Sequence, residues 1–261
     1  MCKVISIVNQ KGGCSKTTSA VNIGIGLANA GKKVVLIDAD AQGSLTASLG
    51  FQKPDELKVT LATIMAKTIN EEEIDLSKVI LHHEEGVDLV PGNIELSGLE
   101  VQLSNVLSRE LILKEFIDSL RDFYDYILID CAPSLGMMTI NALVAADEVI
   151  IPVQAAYLPV KGLQQLMKTI NMVKRRLNKK LQIDGILLAM VDYRTTFARN
   201  ISAELFAAYG ESVGIFENYI PSSIKAVEAS SAGISIYKHD PKGKVAQAYA
   251  KVTQEVLNHE N

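Results

Sequence analysis

The sequence predicts an α/β fold, a mostly parallel twisted sheet flanked by helices, and three observations predict it. Strand-like and helix-like stretches alternate along the 261 residues. The strand-like stretches are continuous β-branched and aliphatic runs, the pattern of strands buried on both faces. The first of them runs into a glycine-rich turn that opens a helix, the arrangement that grips phosphate in such sheets.

Taken in order, "KVISIV" (3–8) is the first strand, followed by "TTSAVNIGIGLANAG" (17–31). In that stretch Ala20, Ile23, Leu27 and Ala28 recur at helical spacing and Gly31 is the stop. "KVVLIDAD" (33–40), "VDLVPG" (87–92), "YDYILIDCAPS" (124–134), "DEVIIPVQ" (147–154) and "IDGILLAMVD" (183–192) are the later strands. Between the last two, Leu163, Leu166, Met167, Ile170, Val173 and Leu177 form an apolar helical stripe. Residues 51–86 are more polar, include "INEEEIDLSK", and read as a surface insertion in a single domain spanning 1–261.

Composition bounds the function. The chain is 48% hydrophobic and 21% charged, a globular balance with mass for a real core. No run of about 18 apolar residues predicts a membrane span, and "MCKVISIV" lacks the features of a signal peptide. Cys2, Cys14 and Cys131 are spaced for neither a disulfide framework nor zinc, which fits a reducing cytoplasm. A net charge of −4 argues against an overall basic coat but leaves room for a local basic patch.

The stretch "NQKGGCSKTT" (9–18) carries the chemistry. Backbone N–H groups of a glycine-rich turn and a helix N-terminus form a positive concavity for phosphate. Lys16 would reach the β- and γ-phosphates and the Thr17 hydroxyl would bind Mg²⁺. The general G-x-x-x-x-G-K-[ST] pattern is not met, because Gln10 and Ser15 hold its glycine positions. Strand alternation puts Asp38 and Asp40 on one face of "LIDADAQG", and Asp130 ends "YILIDCAPS", so three carboxylates gather where open α/β sheets bind ligands. Cys14 reads as a small loop residue; the alternative is a thiol whose pKa the helix N-terminus lowers, giving redox sensitivity.

The sequence resembles the ParA/MinD class of P-loop NTPases with a deviant Walker A motif, and within it the ParA (Soj-like) partition ATPases. The resemblance rests on "NQKGGCSKTT", "LIDADAQGSLTASLG", "LVPGNIELSGLE", "YILIDCAPSLGMMTINAL", "IPVQAAYLPVKGLQQL", "YIPSSIKAVEASSAG" and "YKHDPKGKVAQAY", in family order over most of the chain. It implies ATP and Mg²⁺ held by Lys11, Gly12, Gly13, Cys14, Ser15, Lys16, Thr17 and Thr18, with Pro221 beside the adenine. It implies an ATP-dependent homodimer in which Lys11 reaches the partner's phosphates while Lys16 serves its own. It implies that Asp40 orients the attacking water and that Asp130 holds Mg²⁺ through water, with Asp38 supporting the metal region. Thr17 and Asp40 complete the metal set, and Lys11, Lys16 and Asp40 the catalytic one. Turnover is expected to be slow, since no arginine finger is evident and Asp40 is a weak base.

The resemblance further implies a cytoplasmic, nucleoid-associated protein that binds DNA without sequence preference, works with a ParB-like centromere-binding partner and segregates a plasmid or chromosome. Arg194, Arg199, Lys225 and Lys242 are the DNA candidates, with Lys238, Lys244 and the run "KRRLNKK" (174–180) as further cations. A family arginine after the proline is replaced by Ser222, and a family glycine by Ser15. If the backbone at Ser15 has positive φ, its Cβ costs about 1–3 kcal/mol, yet ATP is still expected to bind. Three other readings stand beside this one. A MinD-like membrane cycler needs a C-terminal amphipathic anchor, whereas "GKVAQAYAKVTQEVLNHEN" reads as a core-packed helix. A redox ATPase like the nitrogenase iron protein needs interface cysteines that Cys131 does not match, and a small-molecule kinase needs an acceptor pocket.

Overall fold

The run of β-branched residues at the start folds as strand β1 (Lys3–Ile7), and its loop opens helix α1 (Lys16–Asn29) in a computed structural model that describes residues 2–155 and 160–259. There follow β2 (Val34–Ala39), α2 (Ser44–Ser48), a 3₁₀ turn at Pro54–Glu56, α3 (Leu61–Ile69), α4 (Leu76–Val79), β3 (Leu81–His82) and β4 (Val87–Val90). Next come α5 (Glu95–Leu103), α6 (Ile112–Leu120), β5 (Tyr126–Cys131), α7 (Met137–Ala145), β6 (Glu148–Gln154), α8 (Val160–Arg176) and β7 (Gln182–Ala189). The chain continues through α9 (Thr196–Tyr209), α10 (Ile224–Ala232), α11 (Ile236–His239) and α12 (Lys244–Asn258). Residues 156–159 of the "IPVQAAYLPVKGLQQL" match, and the acidic Glu260, lie outside the described residues.

Among the described residues the sheet has seven strands in the order β3-β4-β2-β5-β1-β6-β7. All neighbours are parallel except the short edge strand β3, which runs antiparallel to β4. Strand alternation splits the core into two layers. Val4, Val35, Ile37, Ile127 and Ile129 face α3, α5, α6, α7 and α8. Ile5, Ile7, Leu36, Tyr126 and Leu128 face α1, α2, α11 and α12. The predicted α/β architecture is the one found.

Local chemistry sets the ends. Gly31 takes φ +83° just past α1, where its N–H bonds to Ala28 O at 2.9 Å, so it is the predicted stop. On α12, Val245, Tyr249, Val252 and Val256 are all buried, and each valine contributes roughly 1.5–3 kcal/mol by leaving water. The apolar face of that helix therefore belongs to the core.

Two expectations need correction. Leu177 lies one residue past α8 and is 43% exposed, so the buried stripe ends at Val173. Residues 51–86 are only partly surface. Glu71, Glu72 and Glu73 are exposed, but Leu61, Ile64 and Met65 of α3 are buried in the layer that covers β2. The polar run masked this face because α3 has only nine residues, too few for a strong periodic signal.

Candidate functional site

The register of the sheet assembles the site. Asp38 of β2 pairs with Asp130 of β5, and Asp130 also stands level with Ile7, the last residue of β1. Two carboxylates thus sit side by side on the two strands to one side of β1, which feeds the 8–15 loop, at the carboxyl edge of the sheet.

Asn9 ties that loop down. Its side-chain amide donates to Pro152 O at 2.7 Å, and its Oδ1 accepts from Lys11 N at 3.0 Å. Gly13 has φ +69° and Ser15 has φ +71°, both left-handed, so Ser15 occupies the conformation that favours glycine. Ser15 is the residue before α1, and its carbonyl accepts from Ser19 N at 2.8 Å.

The two lysines of the loop part company. Lys16 is buried at 7% exposure, with its ammonium 3.4 Å from Lys11 O. Lys11 is exposed, and its ammonium has no hydrogen-bond or ion-pair partner among the described residues. Cys14 is buried and donates its thiol to Lys11 O at 3.1 Å. Burial pushes that thiol up, against the pull of Lys16, which is the reverse of the lowered pKa on which redox sensitivity depends.

The carboxylates have separate roles. The Thr17 hydroxyl donates to Asp130 Oδ2 at 2.6 Å, while Asp130 Oδ1 is buried without a partner among the described residues. Burial, then the charge of Asp38, raises the Asp130 carboxyl to about 8. A dication beside it reverses this balance. An orphaned carboxylate oxygen next to a threonine hydroxyl is a donor pair that suits hard, oxygen-seeking Mg²⁺. Asp38 does something else. Its Oδ2 accepts from Thr46 N (2.8 Å) and Thr46 Oγ1 (2.7 Å), and its Oδ1 from Asp40 N (3.3 Å). It is fully buried and raised to about 6 by that burial, against the pull of the Thr46 hydrogen bonds. Asp40 lies past the end of β2, half-buried, accepting from Gln42 N at 3.0 Å. The two acids therefore do not present one common face to a ligand.

Two cavities adjoin these parts. One of about 450 Å³ is bounded by Gln10, Lys11, Ser134, Leu135, Gln154 and Gln165. Another of about 220 Å³ sets Pro221 against Lys244, Gln247 and Lys251 of α12. Pro221 bridges Val191, and Tyr193 stacks edge-on against Tyr219 with ring centres 4.5 Å apart. Arg194 and Lys225 thus flank joined loops, but both are already paired. Arg194 grips Asp192 with two 2.8 Å bonds, and Lys225 meets Glu228 at 2.9 Å. Arg199 and Lys242 are exposed without a carboxylate partner among the described residues. The bonds of Asn9 and Thr46, and the wall formed by Lys244 and Gln247, are what sequence reasoning missed. Each is a long-range or loop relation with no periodic signature.

An AAA-domain family profile matches residues 2–183. The sporulation initiation inhibitor protein Soj of Bacillus subtilis is 40% identical over 98% of both chains. The chromosome partitioning protein ParA of Caulobacter vibrioides is 36% identical over 99% of this chain and 95% of its own. The chain belongs to the ParA/Soj family of partition ATPases. The fold agrees with a third relative of this ParA/Soj protein. The crystal structure of cobyrinic acid a,c-diamide synthase from Mycobacterium smegmatis, with bound ATP analogue and magnesium, superposes with a TM-score of 0.87. It is 33% identical and covers 100% of this chain and 96% of its own.

Proposed function

We propose that this ParA/Soj chain is an ATP hydrolase of the partition type. It binds Mg-ATP on the 11–18 loop, pairs with a second copy around two nucleotides, and in that state holds DNA without sequence preference. A ParB-like partner then stimulates a slow turnover. The observation that carries this is the split of two lysines in one short loop, Lys16 turned inward and Lys11 left exposed. A buried lysine suits its own protomer's β- and γ-phosphates. An outward, unpartnered lysine suits phosphate presented by another molecule. Cations on both sides of a transferring phosphoryl group lower the barrier, because charge spreads over its oxygens.

Thr17 would hold Mg²⁺ directly and Asp130 through water, and the ion would neutralise charge between the β- and γ-phosphates. Asp40, at the rim, would orient the attacking water. Gly12, Gly13, Cys14, Ser15 and Thr18 contribute backbone donors, and Pro221 would meet the adenine. Arg199 and Lys242 are the DNA cations with nothing to exchange, whereas Arg194 and Lys225 must first leave their carboxylates.

Sizing by light scattering tests the reading. Saturating Mg-ATP should double the mass of the unmodified chain but not of Lys11→Ala, which should still bind nucleotide. DNA retention should require ATP and weaken steeply with salt. A chain that stays monomeric with bound ATP would refute it. Liposome flotation should show no ATP-dependent binding: no helix among the described residues is long and apolar enough to cross a membrane, and the apolar face of α12 is buried. One observation favours a second reading, an ATP-driven small-molecule enzyme: the 450 Å³ cavity beside Lys11 is of acceptor size. ATP turnover without ATP-dependent DNA retention would select it.

A further inference from the structure

One wall of the cavity beside Lys11 has no hydrogen bond to the phosphate loop among the described residues. Ser134 and Leu135, in the turn between β5 and α7, form it. That turn follows Asp130 directly, so its position decides what faces the loop lysine. Its own bonds are local: Ser134 N to Ala132 O at 2.8 Å, Gly136 N to Ser134 Oγ at 3.4 Å, and Thr139 Oγ1 to Ser134 O at 2.8 Å.

Helix α7 also begins without the usual help. Gly136, the residue before it, has no side chain to accept an N–H, and the first turn holds no acidic residue. The missing acceptor comes from elsewhere. Glu100 of α5, half-buried and 38 positions away, accepts from Met138 N through Oε1 at 3.3 Å. Among the described residues this is the hydrogen bond that reaches the first turn of α7 from another element, two residues past Gly136. Gly136 makes room for it. A Cβ built there would overlap the same Glu100 oxygen, yet φ −75° and ψ −172° suit any residue. Glycine stands at 136 for space, not for backbone freedom.

The segment leading into α5 is fixed too, three residues before the helix starts at Glu95. Gly92 N donates to Thr46 Oγ1 at 3.0 Å, and Thr46 holds Asp38 with both its N–H and its hydroxyl. A Cβ at Gly92 would overlap Asp38 O. The 92–100 segment therefore links the carboxylate end of β2 to the start of α7.

We propose that Glu100 is a positioning residue of the ATPase site. It fixes the start of α7, and with it the Ser134–Gly136 turn that forms the cavity wall facing Lys11, to α5, whose lead-in is tied through Gly92 and Thr46 to Asp38. This rests on the ATPase reading above. Among the described residues Glu100 makes no hydrogen bond or ion pair with the loop lysines or Asp130, so its loss should spare nucleotide binding and disturb turnover.

Four full-length proteins test it: Glu100→Ala, Glu100→Gln, Gly136→Ala and the Glu100→Ala/Gly136→Ala double variant. Glu100→Ala and Gly136→Ala should each lower kcat by about ten- to a hundredfold, the cost of a small misplacement. KM for Mg-ATP should stay within about twofold, since binding determinants are untouched. Glu100→Gln keeps an acceptor oxygen and should retain most turnover. The double variant should be no worse than either single one, because the new methyl occupies the vacated space. Hydrogen exchange of amides 134–140 should quicken in both single variants, with the remaining amides unchanged. Unaltered kcat and exchange in Glu100→Ala would overturn the proposal. So would a Gly136→Ala penalty as large in the Glu100→Ala background as alone. If the unmodified chain does not hydrolyse ATP, the ATPase reading falls, and the exchange data with the double-variant cycle still decide whether Glu100 holds the turn.

Discussion

Ser15 sits at φ 71°, ψ 22°, where an L-residue's Cβ crowds the following carbonyl at a cost of about 1–2 kcal/mol. The neighbouring Gly13 takes a similar φ of 69° without that cost. Nothing in the serine side chain repays it locally, because Ser15 makes no side-chain cap to α1. Ser15→Gly should therefore raise Tm by about 2–4 °C per kcal/mol relieved, read in a thermal scan without nucleotide. A lower Tm would mean that the extra chain entropy of glycine outweighs the relieved strain. The sequence flagged this position, since a serine stood where a glycine was expected, but φ had to be seen. It could not flag Asn9. That side chain clamps the loop to Pro152 O and to Lys11 N, and no spacing rule relates residue 9 to residue 152. Removing it leaves a carbonyl and an N–H without partners. Asn9→Ala should loosen Lys11 first, seen as faster exchange at amides 10–13 before any change elsewhere.

Strands were legible because buried β-branched runs leave few alternatives, and helices α1, α8 and α12 because their stripes are long. What stayed hidden are the ties between elements. Asp38 looked like a metal-side acid, yet its oxygens are spent on Thr46 and Asp40 N. Thr46 is the hub: its hydroxyl donates to Asp38 and accepts from Gly92 N. Thr46→Val keeps the shape and removes the hydroxyl, so a buried carboxylate and a buried N–H each lose a partner. The expected loss is about 2–4 kcal/mol in urea unfolding, the cost of unsatisfied buried groups, with Thr46→Ser closer to the unmodified chain. A loss below about 1 kcal/mol would show that Gly92 and Asp38 find other partners and that α5 is not anchored here. The same logic explains why 51–86 was misread. The buried face of α3 is four side chains long, Leu61, Ala62, Ile64 and Met65, and Leu61 N is held by Pro91 O at 2.7 Å, a contact across thirty positions that composition does not encode.

At the scale of the whole molecule, burial raises four carboxylates among the described residues: Asp38 to about 6, Asp130 to about 8, and Glu148 and Asp184 upward. Glu148 and Asp184 stand at the opposite edge of the sheet, with Lys3 at 2.9 Å from Glu148 and His259 at 2.6 Å from Asp184. In each case the folded chain holds the proton more tightly than the unfolded chain, whose aspartates titrate at 3.8. Folding then takes up protons between those values, so the stabilisation is complete on the acid side and is lost as pH rises through the raised value. Half-buried Asp192, held down to about 2 by its hydrogen bonds from Arg194, works in the other direction only at far lower pH. The metal-free protein should accordingly be more stable at pH 6 than at pH 8, with Asp130 supplying most of the slope in that window. Thermal scans in EDTA should show Tm falling over this range, and Asp130→Asn should flatten the fall. Added Mg²⁺ should restore stability mainly at pH 8, where a cation replaces the proton that Asp130 would otherwise keep. A profile that is flat or rising from pH 6 to pH 8, and unchanged in Asp130→Asn, would mean that water reaches the carboxylate pair and that Asp130 Oδ1 is not the dry, unpartnered atom on which the metal assignment depends.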